Sequence, residues 1–435
     1  MTVSSIAVIL FIIAAIFLFP AICRGGKFKT NKKQVAGFFW TACALAFVIA
    51  MISQPRVAFD GATTGLKTWW NIVFPSLLPF FIASELLMSF GLINFMGVLM
   101  EPLMRPLFNV PGCGSFVFCI GYTSGYPIGA MVTARLRSQR LCTRIEAERL
   151  VCFTSNSSPL FMIVAVSVGM FGRPELGVII AGSHYLANLT LGLALRFYGR
   201  HDPEALPLRG NPYNNIFARA LSEITGAWQK ESRPMGKIIG DAVRNAVNNL
   251  LNIGGFIILF AVIIRILTAA GVINHLAELL GTVLVPLGFA PEVMPALASG
   301  FFEMTIGSKI ASESAAPLAQ QVTAVAVILA WSGLSGHAQV ASMISETDIR
   351  MLPFICLRLA HAALASLYTI FLFGPAMPLA DSLAIPAMAA LERMQESPPL
   401  LTSLQFSGIL LLLTISALLI LSLIYFTLKR IKIYL

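Results

Sequence analysis

The chain has 435 residues, of which 57% are hydrophobic and only 11% charged, and its mean hydropathy is +0.82. Soluble domains carry about a quarter charged residues, so this composition excludes an ordinary soluble protein and predicts one built for the lipid bilayer. The net charge of +10 invites a nucleic-acid reading, but the basic residues are spread over loops between apolar segments. That is the pattern of positive-inside topology, and no nucleic-acid partner is expected.

Nine stretches of roughly 20 apolar residues, long enough to cross about 30 Å of hydrocarbon, run at 4–22, 35–53, 69–92, 149–171, 176–198, 246–269, 320–344, 353–374 and 407–428. They predict an all-α polytopic membrane protein. The first stretch lacks a basic leader, and its charges (Arg24, Lys27, Lys29, Lys32, Lys33) follow the apolar run. It therefore reads as a retained helix with its N-terminus outside, not as a secretory signal. The polar stretch 200–244 is too small for an independent domain. It reads as a solvated amphipathic linker, with a docking surface around Trp228 as the other reading.

Counting Lys and Arg by loop puts 24 of 30 on one side, Arg105, Arg350 and Arg358 among them, which makes that side cytoplasmic and places the C-terminus there. Residues 113–134 then have cytoplasmic flanks at both ends, since Arg105 precedes them and Arg135, Arg137 and Arg140 follow. An apolar stretch with both ends on one side, broken by glycines and a proline, predicts a re-entrant hairpin. By the same logic 293–313 dips in from the outside.

The two hairpins belong to a repeat with an offset of about 180 residues. Pro106-Leu107-Phe108 is answered by Pro286-Leu287-Gly288-Phe289, Gly121 by Gly300, and Ser157-Ser158 by Ser335-Gly336. Each half holds a span, a short interfacial helix (94–109 or 274–289), a hairpin and two more spans. Three full crossings is an odd number, so the second half is expected upside down, and interrupted segments at matching places in such halves point to a transporter's binding site. The expected organisation is 1–60 (N-terminal helices), 61–199 (first repeat), 200–244 (cytoplasmic loop), 245–375 (second repeat), and 376–435 (external loop and last helix).

Irregular backbone at membrane depth is tolerated only where it is buried in protein or lines a cavity. In the first hairpin tip, Thr123, Ser124, Gly125 and Tyr126 are the candidates to meet a ligand, where a second half-helix starts and its N–H groups favour an anion; a kink that relieves helix packing is the alternative. In the next span Asn156, Ser157 and Ser158 sit in a run of polar residues closed by Pro159, which reads as an unwound segment. The second hairpin holds Glu303, Thr305 and Lys309. Ionisable groups inside a membrane are functional by default, and a Glu303–Lys309 ion pair is the competing reading. Glu303 could hold a coupling proton or cation, and Lys309 could neutralise a carboxylate. In the partner span Ser335 and His337 are candidates, while His361 reads as a hydrogen bonder between helices and Glu85 as a weaker candidate. The seven cysteines show no C-x-x-C pair and no metal spacing with the five histidines. No metal site or cofactor is expected beyond a coupling proton or sodium ion.

The run G-Y-T-S-G-Y-P-I-G-A in the first hairpin, G-F-F-E-M-T-I-G-S in the second and S-N-S-S-P on the next span resemble the nucleoside-recognition ("Gate") family, in its branch of sporulation integral membrane proteins of the YlbJ/SpoVV type. The likeness covers about residues 35–375, and such proteins are similar in architecture to concentrative nucleoside transporters. The resemblance implies a role in endospore formation, carrying dipicolinic acid across the outer forespore membrane towards the forespore. Homo-oligomers are frequent among similar architectures. The glutamine–threonine–glutamate run of nucleoside carriers is replaced here by Tyr122-Thr123-Ser124, which speaks against a nucleoside and for a small organic anion. A nucleoside carrier and a non-transporting scaffold are the other readings. No H-E-x-x-H, G-x-S-x-G or paired aspartates occur in the spans, so an enzyme is not expected.

Overall fold

The computed structural model describes residues 32–200, 204 and 216–374. The expected spans 4–22 and 407–428, the external segment 376–435 and most of 201–215 lie outside the described residues.

All regular structure among the described residues is helical. Helix α1 (Lys32–Ser53) meets α2 (Pro55–Thr68) at a bend of 104°. Pro55 begins α2, where the missing N–H would have had no intrahelical partner anyway. A π-helical turn (Trp69–Val73) leads into α3 (Phe74–Ser89) and then α4 (Leu92–Phe108). The first hairpin is α5 (Gly114–Ser124) and α6 (Ile128–Ser138). Next come α7 (Arg144–Thr154), opened by a reciprocal Thr143–Glu146 capping box, an unwound segment at 155–158, the π-helix Leu160–Met170, and α8 (Leu176–Leu195). After α9 (Ile216–Lys230) the order recurs: α10 (Met235–Ala269), α11 (Val272–Leu284), the second hairpin α12 (Met294–Phe302) and α13 (Met304–Ser312), the span α14 (Leu318–Trp331) and α15 (Gly333–Ile344) broken at Ser332, and α16 (Met351–Phe373).

The correspondence extends to single torsions. Gly91 (φ 79°, ψ 11°) and Gly271 (φ 78°, ψ 1°) make the same left-handed turn into α4 and α11. No side chain tolerates that conformation as cheaply as glycine.

Among the described residues four helices are long and apolar enough to cross a membrane: Leu176–Leu195, Met235–Ala269, Leu318–Ile344 and Met351–Phe373. The number rises to six if each bent pair counts as one span. The protein is an all-α polytopic membrane protein. The stretches read as single spans at 149–171 and 320–344 are interrupted, at 155–158 and at Ser332, where polar residues, glycine and proline stop the helix, whereas 69–92 runs helical to Ser89 and turns at Gly91. At 1.5 Å per residue the hairpin arms are about 14–16 Å long, half of a bilayer core. They fold back on each other: a Cβ on Gly307 would lie 2.4 Å from the Cα of Gly300 and 3.0 Å from the Ala296 carbonyl.

Helices α2 and α10 are joined as tightly, for Cβ atoms on Gly61 and Gly65 would lie 2.9 and 2.8 Å from the Cα atoms of Val262 and Ile258. Helix α8 packs along α16 and α14. Beyond the apolar region, charge ties the halves together. Arg137, on the last turn of α6, bonds both oxygens of Asp348 at 2.8 Å and Glu204 at 2.6 Å. Arg350 holds the buried Glu148 at 2.7 Å. Trp228 of α9, the centre of the docking reading, stacks on Phe90 with centroids 5.1 Å apart, so part of its aromatic surface is used within the chain.

Gly307→Ala is expected to weaken the second hairpin by about 1–3 kcal/mol through overpacking. Gly240→Ala, in the open side of α10, should be neutral or stabilise by about 0.5–1 kcal/mol; thermal unfolding of the detergent-solubilised protein compares the two. The Arg137 guanidinium holds the Asp348 carboxyl below the usual carboxylate range. Its stabilising effect is therefore full above the unfolded pKa of about 4 and lost as pH falls through the lower folded value. The stability gap between wild type and Asp348→Asn, under about 1 kcal/mol for so exposed a pair, should close on acidification.

Candidate functional site

The first break is dictated by Pro159, which has no N–H to return to the carbonyl of Ser155, and by the preceding serines and asparagine, whose side chains compete with helical bonding. Backbone groups freed in an apolar interior need other partners, and neighbouring helices supply them. Arg358 of α16 donates to the carbonyls of Ser155 (2.8 Å) and Cys152. Asn188 of α8 donates to the Phe153 carbonyl and to Oδ1 of Asn156 (2.6 Å). Tyr185 donates its hydroxyl towards the carbonyls of Ser157 (3.1 Å) and Tyr122 (3.0 Å). The Ser157 amide donates to Nε2 of His184 at 3.3 Å.

The first hairpin closes on this segment with glycines. Cβ atoms on Gly121 and Gly129 would sit 2.2 and 2.6 Å from the Thr154 carbonyl oxygen. Gly125, at φ +81°, presses onto the Ser158 amide at 2.7 Å by the same measure. The second hairpin treats its partner span alike. Glu303 caps α13 by accepting from the Ile306 amide at 2.8 Å. Gly333 (φ +67°) lies against the Phe302 carbonyl and the Cα of Glu303, and Trp331 donates its indole N–H to the Phe301 carbonyl at 3.0 Å.

Both tips and both breaks converge on one cavity of about 360 Å³. Ser124, Tyr126, Ser157 and Ser158 come from the first half; Glu303, Thr305, Ser335 and Gln339 come from the second. The facing wall belongs to α2 and α10 and is mostly apolar, with Ile253, Ile257 and Ala261 relieved by Thr64 and Thr68. The cavity is thus lined by hydroxyls, one amide and one acid, and no basic side chain is among its lining residues. A smaller cavity of about 200 Å³ opens beside Asn94, Arg135 and Arg233. Both arginines there are already paired, with Glu85 and with Glu231 and Asp241.

A model of the family described as "Gate: Nucleoside recognition" matches residues 71–174 and 250–350, the two segments that carry the hairpins and breaks. The sporulation integral membrane protein YlbJ of Bacillus subtilis (strain 168) is 44% identical over 348 residues, 80% of this chain and 84% of the relative. The chain belongs to this family of sporulation integral membrane proteins. An uncharacterized protein of Alkalihalophilus pseudofirmus is 30% identical over 181 residues, 39% of each chain. No solved structure matches.

Of the residues singled out from the sequence, Ser124, Tyr126, Ser157, Ser158, Glu303, Thr305 and Ser335 face the cavity. Five do not. Thr123 returns its hydroxyl to the Cys119 carbonyl at 2.8 Å, and Gly125 serves close packing. Asn156 is fully buried and turned to Asn188. Lys309 is exposed and pairs with Glu313 at 3.0 Å, one helical turn on, and it is not among the residues that line the cavity. His337 is buried against Trp331 and Phe354, with Nδ1 2.8 Å from the Gly333 carbonyl oxygen. Glu85 is held by Arg135 and Asn245, and His361 reaches the His184 carbonyl at 2.9 Å.

Sequence reasoning overlooks Gln339, Thr64 and Thr68 in the cavity, and Tyr185, Asn188 and Arg358 behind it. The loop count assigns Arg358 to the cytoplasmic charges, but it lies two turns into α16 with no exposed surface. A charge placed eight residues inside an apolar run is the available signal. Tyr185→Phe removes the hydroxyl that serves the Ser157 carbonyl without touching the cavity wall, and should cost about 1–3 kcal/mol of stability. Unfolding of the purified variant in detergent checks that figure.

Proposed function

We propose that this protein is a secondary transporter that moves a small organic anion, dipicolinic acid, across the outer forespore membrane during endospore formation. The observation that carries the reading is the cavity itself. Two hairpin tips and two broken helices would not be kept in an apolar interior, with side chains of neighbouring helices aimed at their freed backbone groups, merely to enclose an empty space. Its volume lies at the lower end of the usual small-molecule range of roughly 300–1,000 Å³, suited to a single aromatic ring with two carboxylates.

Helix starts favour negative groups, each carrying about half a positive charge. Four of them lie within two residues of cavity-lining positions, at Ile128, Leu160, Met304 and Gly333, of which Ser158 and Glu303 serve the starts at Leu160 and Met304. Tyr126 and Phe161 offer ring faces, whereas Phe301 and Trp331, the other aromatic residues near the second tip and its partner span, stack on each other.

In this reading the two halves are inverted copies that meet at mid-bilayer, with the arginine-rich side cytoplasmic. The body that carries the tips slides against the apolar wall of α2 and α10, exposing the cavity to either side in turn. Glu303, the only acid among the lining residues, carries a coupling proton. A nucleoside cargo is the second reading, favoured by the description of the matching family model.

Proteoliposomes holding the full chain should accumulate labelled dipicolinate, and excess uridine should not compete. Ser124→Ala should raise the half-saturating concentration about tenfold, the cost of one hydrogen bond to a charged group. Glu303→Gln should abolish accumulation driven by a proton gradient and retain exchange. Uptake of uridine in place of dipicolinate would establish the nucleoside reading, and uptake of neither would remove both.

A further inference from the structure

Every broken helix brings two opposite dipole ends together, a carbonyl end and an amide end, and left alone they largely cancel. At the first break they are not left alone. The carbonyl end of α7 is covered by Arg358, which donates to the carbonyls of Cys152 and Ser155 and, at 2.8 Å, to the hydroxyl oxygen of Tyr126. Tyr126 lines the cavity, so the guanidinium stands one side chain behind its wall.

A guanidinium stays protonated under all physiological conditions, and this one is completely buried. Among the described residues no carboxylate lies within ion-pair distance of it: its other contacts include Asn188 at 3.4 Å and the face of Phe354, 5.2 Å away, with His184, His337 and His361 nearby. Its Nε has no hydrogen-bond partner among them either. Hydrogen bonding alone does not require so costly a group, because Asn188 and Tyr185 serve carbonyls of the same stretch as neutral donors. What Arg358 adds is its charge.

We infer that Arg358 is the specificity-determining residue of the cavity: its uncompensated charge cancels the carbonyl end of α7 and makes the site positive towards anions. Glu303 does not undo this: the N-terminus of α13 offsets about half of its charge when it is ionised, and with the coupling proton bound it carries none. The starts of α6 and α15 carry no side-chain cap. The inference rests on the cavity being the substrate site.

The test measures binding of pyridine-2,6-dicarboxylate and of its uncharged diamide to the purified full-length protein, for wild type, Arg358→Lys and Arg358→Gln. Wild type should prefer the dianion. Arg358→Lys, which keeps the charge and loses the fork geometry, should keep that preference within about threefold. Arg358→Gln, which keeps donors and loses the charge, should lower it roughly tenfold or more, as expected for a unit charge about 10 Å away in a partly screened interior, with diamide binding little changed.

A folded Arg358→Gln protein with the wild-type preference overturns the inference. So does an Arg358→Lys protein that has lost the preference, and this second result decides the matter if the glutamine variant does not fold. A wild type that binds neither compound, or only the diamide, instead removes the anion reading on which the inference stands.

Discussion

The structure depends on one constraint: a backbone that stops being helical inside an apolar interior must find new partners for the N–H and C=O groups it releases. Each unmet group costs several kcal/mol in such surroundings, so a break can persist only where neighbouring side chains are already aimed at it. In the first half α8 and α16 do this with Tyr185, Asn188, His184 and Arg358. In the second half the broken span and hairpin serve each other, through Trp331 on the Phe301 carbonyl and Glu303 on its own helix start. The two breaks are alike in position and different in chemistry.

That difference shapes the cavity. The halves match in element order and even in the torsions of Gly91 and Gly271, yet a buried cation stands behind the first break and an acid stands at the second hairpin tip. The cavity between them is therefore asymmetric: Arg358 stands behind one wall, and Glu303 lies in the other. Glycines set the spacing throughout. Gly121, Gly125 and Gly129 let the first tip lie directly on the unwound chain, and Gly300 and Gly307 let the arms of the second touch backbone to backbone. The wall formed by α2 and α10 is mostly apolar where it faces the cavity, while Asn249 and Asn252 of α10 reach Met131 and Ser342 outside it.

Much of this is legible in the residues. Lipid spans follow from apolar length, the first hairpin from a short apolar run with basic flanks and a glycine–proline tip, and the second from its matching place in the repeat. The unwound segment follows from Thr154-Ser155-Asn156-Ser157-Ser158-Pro159. Residues whose role is to interrupt a helix advertise themselves locally, and Ser124, Ser157, Ser158 and Glu303 are found in that way. Lys309 misleads because ionisable character says a group needs a partner without saying which one; a glutamate four residues on, the ordinary helical neighbour, takes it. Asn156 and His337 mislead because a polar residue in a break can as readily turn to protein as to a ligand.

The sequence by itself determined that this is a helical membrane protein with two interrupted regions about 180 residues apart, since hydropathy, glycine and proline act over a few residues and need no distant partner. Only the tertiary structure decided which polar groups face the cavity and which hold the breaks together. Tyr185, Asn188 and Arg358 lie on helices that read as plain spans, and their targets are up to 206 residues away in the chain. Contacts across that separation depend on how the helices pack, so no local pattern encodes them.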